Sequence, residues 1–246
     1  MKKILFLAPL LMLAGCEGSI AEAVGDAASG NSSFSDGIAI STSASNPGEF
    51  AGVTLAGPDN IIFTKGDFSI RAEGDAGALE QLRYKISGDE IKIGREQSRL
   101  TVGDSDRATI YLSAPSLKSA KLAGSGNLDV DAMTTESVKL SIAGSGDIRV
   151  AKIDTSALDS RIAGSGNLTL AGKADTVDIS IAGSGDVSGK GLKADSASIS
   201  IAGSGDVELS SDGSVNAKVM GSGDVRILGD AKCKSRAMGS GEITCG

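Results

Sequence analysis

The sequence predicts an all-β fold, a parallel β-helix-like solenoid expected to be right-handed, with about 20 residues per rung. Three observations predict it. Gly-Ser-Gly recurs with its first glycine at Gly124, Gly144, Gly164, Gly183, Gly203, Gly221 and Gly239, at spacings of 20, 20, 19, 20, 18 and 18 residues. Around each triplet, apolar and polar residues alternate with the period of two that marks a strand with one buried face. Aromatic residues make up 3% of the chain, whereas 34 of its 246 residues are Gly, about twice ordinary usage. A bulky-cored α/β globule would need aromatic rings that are scarce here. A narrow core shared between stacked repeats does not.

The chain opens with Lys2 and Lys3, then an apolar stretch from Ile4 to Ala14 that is too short to span a bilayer. Leu13-Ala14-Gly15-Cys16 looks like a bacterial lipobox. Residues 1–15 are therefore expected to be a lipoprotein signal peptide, with Cys16 acylated and the membrane lipid reached through it. The alternative is a plain signal peptide with a chance cysteine. Asp after the cysteine is the commonest inner-membrane retention signal, and Glu17 stands there instead. This leans the address towards the outer membrane of a cell envelope, on its periplasmic or surface face. Residues 16–47, rich in Ala, Ser, Gly, Asp and Asn, read as a flexible tether. Within it, Phe34, Ile38 and Ile40 are candidates for a first strand.

Residues 48–245 read as one β-helical domain in two portions. The N-terminal portion, 48–115, is irregular. Val53 and Leu55, Ile61 and Phe63, Phe68 and Ile70, Leu82 to Ile86, Ile91 and Ile93, and Ile110 and Leu112 alternate as short strands. Gly57-Pro58-Asp59, Gly74-Asp75 and Ser87-Gly88-Asp89 mark turns between them. Residues 76–83 allow about two turns of helix.

The portion 116–245 carries the repeat. Two positions before each triplet stand Leu122, Ile142, Ile162, Ile181, Ile201, Val219 and Ala237; four positions after its first glycine stand Leu128, Ile148, Leu168, Val187, Val207, Val225 and Ile243. These columns point inward. A unit of this kind cannot bury its own apolar side, but stacking buries it against the next. The corners are expected at Gly124 and Gly126, Gly144 and Gly146, Gly164 and Gly166, Gly183 and Gly185, Gly203 and Gly205, Gly221 and Gly223, and Gly239 and Gly241. Glycine there permits positive φ or a close backbone approach. A sandwich or barrel of hairpins ranks lower, because hairpin loops would vary more from unit to unit.

Charge and composition narrow the function. The formal charge is −7, and loss of Lys2 and Lys3 makes it 22 − 31 = −9. An acidic chain without clustered Lys and Arg or stacking rings is not expected to bind nucleic acid. The absence of His removes Ser-His-Asp triads and His-built metal sites. No cofactor is expected.

Three sets of residues remain as candidate sites. Cys233 and Cys245 fall at inward positions of the last unit, where a disulfide would clamp a fraying end; two reduced thiols are the alternative. Asp186, Asp206 and Asp224 follow successive corners and would stack about 4.8 Å apart. They either cap turns through backbone N–H groups or form a weak cation ladder for an ion such as Ca²⁺, and no metal is assigned. The column Lys121, Ser141, Arg161, Ser180, Ser200, Lys218 and Arg236 points outward as a flat, hydroxyl-bearing face that suits glycan or protein. Surface carboxylates also admit a carbohydrate-active enzyme, which needs a pair at defined separation.

Several stretches carry a family resemblance: Phe50-Ala-Gly-Val53 with Phe68-Ser-Ile70, Leu79 to Ile93, Ile110 to Leu117 with Pro115, and the Ala-Gly-Ser-Gly units. Over roughly residues 45–245 the chain resembles the auto-transporter adhesin head GIN domain family. The resemblance implies an exported, often lipid-anchored β-helical domain with no established catalytic residues. The expected role is non-enzymatic: adhesion, or interaction with an envelope protein or glycan.

Overall fold

The computed structural model describes residues 34–96 and 107–246; the expected signal peptide and Cys16 lie outside them. The chain is a β-solenoid of about 6 turns with ~20 residues per turn. In the first full repeat, β8 (Ser119–Gly124) leads to the corner and β9 (Asn127–Val130) leaves it. Ala120, Leu122, Leu128 and Val130 are buried from these strands, while the residues between them are more exposed.

The following turns are β10 (Ser137–Gly144), β11 (Asp147–Gly164), β12 (Leu168–Gly183), β13 (Val187–Gly203) and β14 (Val207–Gly221). The stack ends with β15 (Val225–Leu228), β16 (Lys232–Gly239) and β17 (Ile243–Cys245). All pair in parallel and corner on corner: Gly144 lies opposite Gly124 on one side and Gly164 on the other. Like residues are thereby stacked in columns about 4.8 Å apart, the spacing of paired strands.

The segment from the second strand to the next unit reads in sequence only as a variable return with an apolar point. The structure pairs it too. Met133 bridges Ile153, Ile153 lies opposite Gly172, and Gly172 lies opposite Leu192. Units of unequal length are accommodated here by register shifts, between Val150 and Ile153 and between Thr169 and Ala171. The corners therefore stay aligned.

The stack also runs unbroken across the 115/116 boundary. β2 (Gly52–Gly57) and β3 (Asn60–Lys65) pair with β8 and β9, placing Gly57 opposite Gly124 and Asn60 opposite Asn127. Gly57-Pro58-Asp59-Asn60 thus occupies the place of Gly-Ser-Gly-Asn. On the other side of this rung lie β6 (Glu90–Arg95) and β7 (Ala108–Ala114). Spatial order here departs from chain order, and that hides the rungs from a search for a fixed period.

Beyond β6 and β7 the pairing turns antiparallel. β4 (Ser69–Gly74) lies on β7, β5 (Leu82–Ser87) on β6 and β1 (Ile38–Ala39) on β5; α1 (Ala76–Gln81) joins β4 to β5. Residues 34–47, read in sequence as tether, belong to this cap. Phe34 and Ile40 are buried, and Ser45 bridges Ile70. The Phe34 ring occupies the space above Gly94 that any Cβ would take. A lone apolar residue in a Ser- and Gly-rich stretch gives little sign of such a receptor.

Candidate functional site

The corners are built by two glycines with different duties. The first has positive φ, +138° at Gly144 and +131° at Gly164. The second faces the preceding rung so closely that a Cβ on Gly166 would overlap the carbonyl oxygen of Gly146 and lie 2.8 Å from the Ile142 side chain. Between them, the backbone N–H groups of Ser145 and Gly146 both donate to the Gly124 carbonyl, at 2.9 and 3.2 Å. The motif is thus a stacking device. No oxyanion or phosphate cradle is needed to explain it.

The residue after each corner forms a second ladder. The backbone N–H of Asp206 donates to Asp186 Oδ1 at 2.8 Å, that of Asp224 to Asp206 Oδ1 at 2.7 Å, and that of Glu242 to Asp224 Oδ1 at 2.8 Å. Each carboxylate therefore secures the next rung, one step beyond the local turn. Asn60, Asp147 and Asn167 accept in the same way from Asn127, Asn167 and Asp186. Sequence places these residues in one column but cannot show that the bond crosses between rungs. Among the described residues no group of three His, Cys, Asp or Glu is placed to hold a metal ion. Beside the column lies a groove of about 280 Å³, lined by Val187 and Val207 as well as by Asp186, Ser188, Asp206, Glu208, Asp224 and Arg226. It can offer carboxylate oxygens at rung spacing to hydroxyl donors.

The outward column Lys121, Ser141, Arg161, Ser180, Ser200, Lys218 and Arg236 is continuous in the pairing register. Its middle is small and hydroxyl-bearing, and Arg161 is held by Asp159 on its own strand at 3.0 Å. Cys233 and Cys245 are joined by a disulfide across the final rung. Their positions face inward, but no rung follows, so Cys233 is only half-buried and Cys245 is exposed.

One buried group escapes the sequence reading altogether. Asp59, in what reads as a plain Gly-Pro-Asp turn, is fully buried. It accepts two hydrogen bonds from the Arg95 guanidinium, at 2.8 and 2.6 Å, and a third from the Ala108 backbone N–H at 2.9 Å. It ties together three strands of the two N-terminal rungs. Its partners are distant in sequence, so no local pattern announces it. Among the described residues three surface groups, Asp36, Lys193 and Asp212, have displaced titration. The Lys85 ammonium bonded to Asp36 lowers the pKa of that carboxyl. Lys193 and Asp212, 2.7 Å apart, pull each other in opposite directions, the carboxyl lowered and the ammonium raised by their hydrogen bond.

Comparison with known proteins agrees with this architecture. Residues 49–231 match the family described as "Putative auto-transporter adhesin, head GIN domain", and the chain belongs to that family. A "putative adhesin" from Bacteroides fragilis superposes with a TM-score of 0.74 at 18% identity, over 82% of this chain and 95% of that one. A "putative adhesin" and a "putative lipid binding protein", both from Parabacteroides distasonis, give TM-scores of 0.62 and 0.63 at 18% and 21% identity, each over 83% of this chain and 95% of the other. At such identities the likeness establishes the fold. No curated protein matches the chain. The family places the chain among adhesin-like proteins of the cell envelope or surface. No helix among the described residues is long and apolar enough to cross a membrane.

Proposed function

We propose that this member of the head GIN family is a non-enzymatic, adhesin-like binding module. It is held to the outer membrane by an acylated Cys16 and engages a glycan or an envelope protein along its stacked faces. The observation that carries the reading is the groove over Asp186, Asp206 and Asp224. Each of these carboxylates uses one oxygen to hold the neighbouring rung, which ties it to the scaffold. The other oxygen stands in a repeating array suited to hydroxyl groups. A catalytic carboxylate pair would break the repeat with a distinctive local cluster, and these rungs stay regular. Repetition favours many similar weak contacts along an extended partner, the mode in which avidity accumulates.

Crosslinking of intact cells followed by pull-down, with membrane fractionation alongside, tests partner and address together. The expected result is a membrane-fraction protein captured with glycan or an envelope protein. Binding should fall in Asp206→Asn and Asp224→Asn variants that still fold. Turnover of a polysaccharide, lost on replacing one carboxylate, would overturn the reading in favour of a carbohydrate-active enzyme. Recovery of a Cys16→Ser variant in the membrane fraction at the native level would overturn the anchor.

A further inference from the structure

The position just before each corner is Ala123, Ala143, Ala163, Ala182 and Ala202 in five successive units, then Met220 and Met238 in the last two. The two methionines lie opposite each other on β14 and β16, and each is 51% exposed. They are among the few large apolar side chains the described residues leave in water. On the same outward face stand Lys218 beside Arg236, Asn216 beside Lys234 and Ser214 beside Lys232, all exposed. Among the described residues none of these four cations is paired with a carboxylate. Elsewhere, Lys121, Arg161, Lys173, Lys190 and Lys193 each have one. The next unit on this face offers Ser196, Ser198 and Ser200. In register with Lys234 the first acidic residue is Asp178, three rungs away; Asp212, which pairs with Lys193, and Asp230 lie two residues before Ser214 and Lys232. Residues 214–246 hold five Lys or Arg against three Asp or Glu, in a chain of net charge −7.

We infer that this terminal face of β14 and β16 is a docking surface for an anionic lipid bilayer. Phosphate headgroups would meet Lys218, Lys232, Lys234 and Arg236, and the two methionines would enter the headgroup–acyl boundary. Two observations choose this occupant. A flat basic face next to exposed, unbranched apolar side chains is complementary to a negatively charged surface with an apolar interior. The same cations oppose the addition of a second copy to the open edge of β16, since Lys and Arg on an edge strand repel a like-charged one. The surface is also within reach of the expected anchor. Eighteen residues from Cys16 to Phe34 extend at most about 60 Å, and the eight strand-to-strand steps from β6 to β16 measure about 38 Å. The inference does not depend on the glycan reading above, and the following test removes the anchor from it.

The full chain carrying Cys16→Ser is sedimented with phosphatidylcholine vesicles and with vesicles containing phosphatidylglycerol. The expected result is a preference for the anionic vesicles that declines as salt is raised. Each cation at such a surface is worth about a fivefold change in partitioning. The triple variant Lys232→Gln, Lys234→Gln, Arg236→Gln should therefore lose about a hundredfold. Met220→Ala with Met238→Ala should weaken binding about fivefold and leave the salt dependence in place. Lys139→Gln, on the same face near the other end, should change little. Equal partitioning onto both vesicles overturns the proposal, as does binding indifferent to the triple substitution. Retention on immobilised dextran sulfate without vesicle binding overturns it too, assigning the face to a soluble polyanion. All replaced residues are exposed, and unchanged thermal unfolding of each variant keeps the comparison interpretable.

Discussion

The two ends of the solenoid solve the same problem in opposite ways. At the N-terminal end the outermost parallel strands, β6 and β7, are covered by antiparallel β5 and β4. All six aromatic residues of the described chain lie in this region: Phe34, Phe50, Phe63, Phe68, Tyr84 and Tyr111. Phe50 and Phe68 meet edge to face at 5.5 Å. At the C-terminal end nothing covers the last rung. Ala237 and Cys245 stand at inward positions yet are exposed, and the rung is closed covalently by Cys233–Cys245. A capped end needs bulk, because a sheet that changes direction leaves irregular space that rings fill well. An open end gains little from bulk, since nothing packs against it; a crosslink and edge cations suit it better. The regular arm between needs neither, and its core is aliphatic.

This contrast can be broken or sharpened by substitution. The largest effect is expected in the arm. Gly164→Ala places a methyl group into the Gly144 carbonyl at a position of φ +131°, and equilibrium urea unfolding should show a loss of about 4 kcal/mol or more. Gly57→Ala is the control at the N-terminal end. It shares the positive φ, +136°, but a Cβ there meets nothing within 4 Å, so only backbone strain of about 2 kcal/mol is expected. Equal costs would show that the corner is conserved in shape by φ alone.

Next comes the buried pair in the cap. Asp59→Ala removes two hydrogen bonds from the Arg95 guanidinium and leaves the buried Ala108 N–H without its acceptor, with an expected loss of about 3 kcal/mol. Thermal unfolding of Asp59→Ala against Arg95→Ala and the double variant should show strong coupling. Additive single effects would exclude the pair as the tie between these rungs.

Reduction of Cys233–Cys245, or the double replacement by Ser, removes a crosslink over 12 residues, a loop length worth up to about 3 kcal/mol. Because the final rung can open alone, the global loss should be smaller, about 1 kcal/mol. Amide hydrogen exchange should accelerate in β16 and β17 and leave β11 to β13 unchanged. Acceleration throughout the stack would mean that the end rung unfolds only with the whole.

A gain is expected at Ser160. It stands in an inward column that also holds Ala120, Leu140, Ile179, Ile199 and Ala217, with Ser235 at the exposed end, and its buried hydroxyl has no hydrogen-bond partner among the described residues. Ser160→Ala should stabilise by about 1 kcal/mol. The smallest effect belongs to the exposed Lys193–Asp212 pair. The lowered carboxyl contributes stability above the ordinary carboxylate range and loses it as pH falls through the depressed value. The raised ammonium contributes below the ordinary amine range and loses it as pH rises through the elevated value. A small difference in melting temperature between native protein and Asp212→Asn should therefore persist across neutral pH and close at both extremes.

Sequence alone determined the repeat, its inward columns and its corners. Each of these is a local demand: a strand with one buried face alternates apolar residues, and a corner approached by the backbone of another rung admits only glycine. It also showed which residues share the Asp186–Asp206–Asp224 column, because a fixed period carries position from one unit to the next. The tertiary structure decided what the period could not carry. It paired the unequal return segments through register shifts at Ile153, Gly172 and Leu192. It placed β2 between β6 and β8 and β3 between β7 and β9, disguising Gly57-Pro58-Asp59 as an isolated turn, and it buried Asp59 against an Arg95 that lies 36 residues away. It also exposed Met220 and Met238 together with cations that have no carboxylate partner among the described residues, since no further described rung covers or neutralises them. Periodic demands are written locally and can be read locally; what happens where the period stops depends on which strands meet there.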